Sequence, residues 1–502
     1  MKPFQRDTLP ALIPFIPHLL LLAGAFLLYA QSFGHQWTMD DHLVVARNTD
    51  IRSLQGFLEN AYPGRPLREI TYMLDYRLFG SEPAGYHLQN VFWHGLNACL
   101  LVVLATRLGA TRTVAWLSGA LFLVHPLNVE VVANISHRKE SLMLAFSLLA
   151  LLAFLRASRG RFPWLWGGAG VALLGIGYLA KETAVGVLVA AAGCALARAE
   201  SLKSIVRRHP GGFKGLSAGV AIGAVGGLSA VWQSAAFRAS MEGCLARMNI
   251  LSAASGELYL QVVLKSFAFM FLRLVWPADL AMEYVFPPPA GWSDPWVLAG
   301  LALLSALAGL AWLLRRQLLP LAGILMMIGF WLPVSNLFWP LAYFAADRYL
   351  YAVCAGFALL AGWVAARFLA GREKLLIAVC LPLLLLLSVA TWKQDQVWSS
   401  ELTLYQQAVR VSPHSTYALM GLGLAQMNAG NLEAARAPLE QAVANFNDSK
   451  ALYLLARWYE RQGNSRMAVD YFRKFVLMNE PKYFREVMNT RRYLQVRYGL
   501  SL

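Results

Sequence analysis

The sequence predicts an all-α, polytopic membrane protein of about 11 spans that ends in a small α-solenoid. Three observations carry that reading. The chain is 58% hydrophobic and 14% charged, where a soluble protein carries about a quarter charged residues. The apolar residues gather in blocks of roughly 16–22, long enough to cross a hydrocarbon core. Beyond about Gln394 the blocks stop and a polar pattern repeats with period 33. A membrane part, 1–392, and a tail, 393–502, follow from that change.

The candidate spans are roughly 11–31, 87–106, 113–127, 140–155, 163–180, 183–197, 215–236, 296–314, 319–336, 348–366 and 375–392. The first is too long for the apolar region of a signal peptide and reads as a retained span. A net charge of +16 could point to nucleic acid, but its placement argues otherwise. Arg and Lys sit in short connections: Arg107 and Arg112; Arg156, Arg159 and Arg161; Arg198 to Lys214; Arg315 and Arg316; Arg367 to Lys374. Basic connections mark the cytoplasmic side. With 11 spans, the N-terminus is then inside and the tail outside. If the further apolar stretch 261–276 crossed, a basic cluster would fall outside, so it is expected to lie along the outer surface or re-enter.

Within the long first outer loop, about 32–86, Leu67, Ile70, Leu74 and Leu78 recur at helical spacing beside Arg68, Glu69 and Arg77. That pattern suits an amphipathic helix in the interface plane. The five cysteines, Cys99, Cys194, Cys244, Cys354 and Cys380, lack metal-ligand spacing and read as small core residues. In the tail, Gly430-Asn431 recurs as Gly463-Asn464, Gly423 as Ala456, Ala435 as Ala468 and Leu439 as Phe472. This resembles tetratricopeptide repeats, about two and a half of them with a capping helix from Lys482 to Tyr498. Such a solenoid has a concave face. It serves either as a packing platform or as a grip on an acceptor protein or another partner.

Ionisable residues are costly within a membrane and usually mark function. Here they cluster at the outer ends of spans. Asp40 and Asp41 follow the first span, and Arg65 lies later in that loop. His87, Asn90, His94 and Asn97 share one face of the second. His125 and Glu130 follow the third, then His137-Arg138-Lys139-Glu140. Lys181-Glu182 separates two apolar blocks, and Asp347-Arg348 opens the tenth span. Carboxylates and cations on one face suit sugar transfer from a lipid phosphate. A carboxylate takes the proton of the attacking hydroxyl. The departing phosphate stays charged and needs cations rather than a general acid, and Arg fits phosphate through its planar fork. Blander readings stand beside this one. The Asp pair can be a solvated cap, the His/Asn stripe can hydrogen-bond between helices, and Lys181-Glu182 can be a structural ion pair.

At this point a resemblance emerges. Asp40-Asp41, Asn48, Arg65-Pro66-Leu67, His87 to His94 with Asn97, and Leu121 to Pro126 resemble the transmembrane and tetratricopeptide-repeat (TMTC) proteins. So do Glu130 to Ala133 with Arg138, Lys181-Glu182, Pro333 to Asn336 and Asp347 to Tyr351. These motifs run in the same order over nearly the whole chain. The resemblance implies a C-type glycosyltransferase fold, related to protein O-mannosyltransferases, and an inverting enzyme using a polyprenyl- or dolichyl-phosphate sugar. It makes Asp40 the candidate base with Asp41 its neighbour; the one-sided cluster of charges makes Arg138, Lys181 and Arg348 the expected holders of the donor phosphate, and Arg65, His87, Asn90, His94, His125, Glu130 and Glu182 the expected sugar and acceptor site. The C-type glycosyltransferase superfamily often has Asp-Glu where this chain has Asp-Asp, which leaves open which carboxylate is the base. The short tail suggests a bacterial relative with its site at the periplasmic face of the inner membrane, the endoplasmic reticulum membrane being the alternative. The acceptor is expected to be a protein, or else a lipid or cell-surface glycan. A non-enzymatic scaffold or transporter is disfavoured, since charges lie at span ends rather than at mid-membrane. No cofactor is called for, although Asp40, Asp41, Glu130 and Glu182 could gather a divalent metal.

Overall fold

The computed structural model describes residues 16–60, 65–158, 162–198, 233–247, 255–369, 371–445 and 448–500. Among them there is helix and no strand. The membrane part comprises α1 (Ile16–Leu28), α2 (Pro66–Phe79), α3 (Pro83–Arg107), α4 (Arg112–Val124), α5 (Arg138–Ala157), α6 (Pro163–Ala180), α7 (Val187–Arg198), α8 (Gly256–Val275), α9 (Pro295–Leu313), α10 (Leu318–Trp331), α11 (Tyr351–Phe368) and α12 (Glu373–Val397). Their starts are written locally. Proline occupies the first turn of α2, α3, α6 and α9, where its missing N–H would have no helical partner. Thr111, Ser255 and Asp294 cap α4, α8 and α9 through side-chain oxygens.

Seven described helices are long and apolar enough to cross a bilayer, or eight if the 52° bent pair Arg112–Val124 and Pro126–Ala133 counts as one span. The expected 11 spans are not reproduced. Ile16–Leu28, Glu182–Ala197 and Leu318–Val334 are apolar but shorter, and the expected span 215–236 up to residue 232, like the Lys203 to Lys214 cluster, lies outside the described residues. The stretch 261–276, expected to lie along the outer surface or re-enter, falls in α8 up to Val275, a 20-residue helix two-thirds buried in the bundle that meets the same length and composition test. The bundle has a centre and a rim. The apolar window within Ile135–Ala157 is 67% buried, whereas that of α12 is 11% buried and presents leucine outward.

Close packing relies on small residues, as expected where apolar helices gain little by leaving lipid. A Cβ on Gly186 would lie 2.3 Å from the Gly329 carbonyl oxygen, so two backbones touch there. The amphipathic helix forms as expected, with its sense defined by ions. Arg68, Glu69 and Asp75 are buried, while Ile70, Leu74 and Leu78 are exposed.

The tail forms α13 (Glu401–Val411), α14 (Thr416–Asn428), α15 (Leu432–Ala444), α16 (Lys450–Arg461), α17 (Ser465–Met478) and a capping α18 (Phe484–Tyr498). Gly430 and Gly463 have φ of 82° and 76°, a left-handed turn that glycine adopts without strain. Gly423 lets Leu439 approach so closely that a Cβ would meet it at 2.5 Å. The solenoid is fused to the membrane part. Trp398, Leu404, Tyr405, Ala408, Ala418 and Ala425 belong to the same hydrophobic core as the bundle.

Candidate active site

The charged end of the bundle is organised around an elbow, Asn134 to Arg138, where the chain turns into α5. Asp41 reaches it through one carboxylate oxygen 2.7 Å from the Ser136 N–H, while the other accepts from Thr38 N–H. Arg68 donates to the Ser136 carbonyl and Tyr72 to that of Ile135. Arg138 then locks the elbow to α2 and α3. Its guanidinium lies 2.5 Å from Asp75 and also donates to Asn90, Thr71 and the Tyr86 carbonyl. It is fully buried. The arginine expected to hold donor phosphate is thus committed to a carboxylate that sequence reasoning did not single out.

The next residue is different. Lys139 has neither a hydrogen bond nor an ion pair among the described residues. The charges acting on it are Arg68, Glu140, Arg65 and Lys181, so cations outnumber anions around it. Lys181 is 2.5 Å from Glu140, not paired with its neighbour Glu182. Glu182 instead meets Arg65 at 3.1 Å. Arg348 is 2.7 Å from Glu130, which also accepts its backbone N–H. The Arg348 guanidinium lies 5.1 Å from the ring centres of both Tyr343 and Tyr349, and Lys181 lies over Tyr349. These contacts join Lys181 and Arg348 into one patch, and Lys181 links it to Lys139.

The two aspartates part company. Asp41 is fully buried, and burial pushes its carboxyl up from 3.8 to about 7. Asp40 is exposed, and its carboxylate makes no hydrogen bond or ion pair among the described residues. It lies within electrostatic reach of Tyr405 and Tyr417, which come from the repeats. Tyr417 in turn contacts Tyr343. A row of tyrosines therefore runs from Asp40 to the Arg348 cation. It borders a cleft of about 640 Å³ between the membrane part and the solenoid, lined by Cys244, Glu283, Tyr343, Tyr417, Lys482 and Tyr483 among others. Glu283 holds the solenoid there, accepting from Ser415 through its carboxylate and from Ser412 through its carbonyl.

Several expected site residues lie in helix packing instead. His94 bridges Tyr351 and the Leu123 carbonyl. His125 meets the Leu274 carbonyl. Asn90 donates to the carbonyls of Val132 and Asn134, and Asn97 to that of Ser141. His87 is buried with both ring nitrogens unpartnered, facing His35 at 5.8 Å. Asp41, Glu130 and Glu182 face different partners, so the four carboxylates that could have gathered a metal do not converge. Among the described residues no three potential ligands do.

The fold and its charged end define a multi-span helical membrane protein whose charged surface is roofed by tetratricopeptide-like repeats. Comparison with known proteins agrees. Residues 67–220 match the family of dolichyl-phosphate-mannose-protein mannosyltransferases, and 402–450 and 422–477 match tetratricopeptide repeats. The chain is 24% identical to protein O-mannosyl-transferase F38B6.6 of Caenorhabditis elegans over 81% of its own length and 59% of the relative's. It is 24% identical to human protein O-mannosyl-transferase TMTC4 over 84% and 65%, and 32% identical to Drosophila melanogaster Tmtc1 over 34% and 22%. It thus spans less than two-thirds of the length of these relatives. No solved structure matches. The resemblance to the TMTC group of protein O-mannosyltransferases, carried by the ordered motifs, is borne out along the membrane part and the repeats.

Proposed function

We propose that this protein moves a sugar, with inversion, from a polyprenyl- or dolichyl-phosphate carrier to a hydroxyl on a protein acceptor at the outer membrane face. One observation carries the reading. Asp40, exposed and unpaired among the described residues, lies within electrostatic reach of Tyr417, which lines a cleft whose Tyr343 leads to a patch of cations. Asp40 removes the acceptor hydroxyl proton as the oxygen attacks the anomeric carbon. The bond from that carbon to the phosphate oxygen breaks, and the lipid phosphate leaves with its electrons. Lys139, which lacks a counter-ion, and the paired Lys181, Arg348 and Arg65 stabilise its charge. Arg138 positions Lys139 from beneath and takes no part in binding. The names of the relatives support a protein acceptor.

Purified full-length protein would be given radiolabelled polyprenyl-phosphate mannose and a lysate of the source cells. Label in a protein band with wild type, absent with Asp40→Asn, is expected. Label confined to lipid or glycan would overturn the protein acceptor, and equal transfer by Asp40→Asn would overturn the base.

A further inference from the structure

The opposite end of the bundle carries a second cavity, of about 490 Å³, between α3, α5 and α6. Arg138 and Arg156 are 18 residues apart on α5, which at 1.5 Å per residue is about 27 Å. One hydrocarbon thickness therefore separates this cavity from the charged outer face. It is lined by Val103, Leu149, Leu152 and Leu173, with Arg107, Arg156 and Trp166 also on its wall. Arg107 and Arg156 close the last turns of α3 and α5. Both are exposed, and neither has a carboxylate partner among the described residues. The Arg156 guanidinium sits 4.7 Å from the Trp166 ring, which holds it at that wall.

The slot is a local parting of helices that pack tightly elsewhere. A Cβ on Gly170 would meet Phe154 at 2.5 Å, so α5 and α6 touch directly beside the cavity. From Arg156 to Leu149 the lining follows α5 for two turns, about 10 Å into the hydrocarbon. Apolar walls of that depth suit the upper part of an acyl chain. Two unpaired guanidiniums at the basic end of the helices suit a phosphate with net negative charge. A zwitterionic headgroup would bring its own cation to the same place.

We infer that this cavity binds an anionic glycerophospholipid of the inner leaflet, its phosphate between Arg107 and Arg156 and one acyl chain in the slot. The site lies apart from the proposed transfer reaction and does not depend on it.

The test is native mass spectrometry of the purified full chain in detergent, with phosphatidylglycerol or phosphatidylcholine of matched chains, and with a polyprenyl phosphate. Wild type is expected to retain phosphatidylglycerol roughly tenfold more strongly than phosphatidylcholine. Arg107→Gln with Arg156→Gln should erase that preference, whereas Arg315→Gln with Arg316→Gln should keep it. Ala169→Phe, which leaves the arginines and fills the slot, should weaken phosphatidylglycerol retention and stands in if the double variant fails to fold. Unchanged retention by the slot-filled variant, equal retention of the two phospholipids by wild type, or tighter binding of the polyprenyl phosphate through these arginines would each overturn the inference.

Discussion

At Asp40 the carboxylate meets solvent and the tyrosine row, whereas one residue on Asp41 is wrapped by the Ser136 and Thr38 amides. Their substitutions should separate. Asp40→Asn is expected to lower turnover by about 10²–10⁴ with an unchanged melting temperature. Asp41→Ala leaves two amides without acceptors and is expected to destabilise by about 1–3 kcal/mol, read by thermal melting in detergent. Asp41 also gives a pH signature. Burial raises its carboxyl from 3.8 to about 7, so the native state holds that proton more tightly than the unfolded chain. Its contribution is complete below about pH 4 and is lost as pH rises through about 7. Wild type should therefore lose stability between about pH 4 and 7 relative to Asp41→Asn, which cannot titrate there; parallel curves would contradict this. For Lys139, Lys139→Ala should raise KM for the lipid-phosphate donor more than it raises KM for the acceptor, measured by varying each substrate in turn. Adjacent like residues could not be told apart from their letters. Whether Asp40 or Asp41 faces water, and whether Arg138 or Lys139 is free, depends on partners such as Ser136 and Asp75, 95 and 63 residues away in the chain.

Helix α2 joins the loop to the bundle, and its two faces do different jobs. The stripe of Ile70, Leu74 and Leu78 was legible because it repeats every three to four residues within one element. Why that stripe faces outward was not. Arg68, Glu69 and Asp75 turn inward because Ser136, Asn48 and Arg138 wait there, and none of these is local. Breaking one buried ion and sparing its partner is costly, about 3–5 kcal/mol. Asp75→Ala is therefore expected to destabilise by that order, and Asp75→Ala with Arg138→Met to recover part of it, in thermal melts of the purified protein. If the single and double variants melt alike, Arg138 is not held by Asp75. The spans show the same limit from the other side. Helix α8 carries Gln261, Lys265 and Ser266 yet is buried, because Asp294 and the Phe344 carbonyl receive Lys265 and Ser266. The parity of the basic connections set the expectation that this segment lies along the surface or re-enters, and that parity carries no information on Asp294 or the Phe344 carbonyl.

The solenoid was legible almost residue by residue, since each repeat touches only its neighbours and its Gly turns recur at a fixed interval. Its seat was not. Trp398, Tyr405 and Ala418 enter the core of the membrane part, and Glu283 holds Ser412 and Ser415. The first helix pair is therefore a component of the bundle, and only the outer repeats are free to act as a grip. Truncation should divide accordingly. Removing 396–502 strips Trp398, which is 1% exposed, and loss of a buried Trp side chain costs about 3–5 kcal/mol. That variant should melt several degrees lower. Removing 446–502 leaves this seat intact but deletes Asp448, Lys482 and Tyr483 from the cleft wall. It should raise KM for a protein acceptor while leaving KM for the lipid-phosphate donor unchanged. If the shorter truncation transfers sugar to protein with unaltered KM, the cleft between solenoid and membrane is not where the acceptor lies. Asp40 would then have to receive its substrate from the side of the first loop.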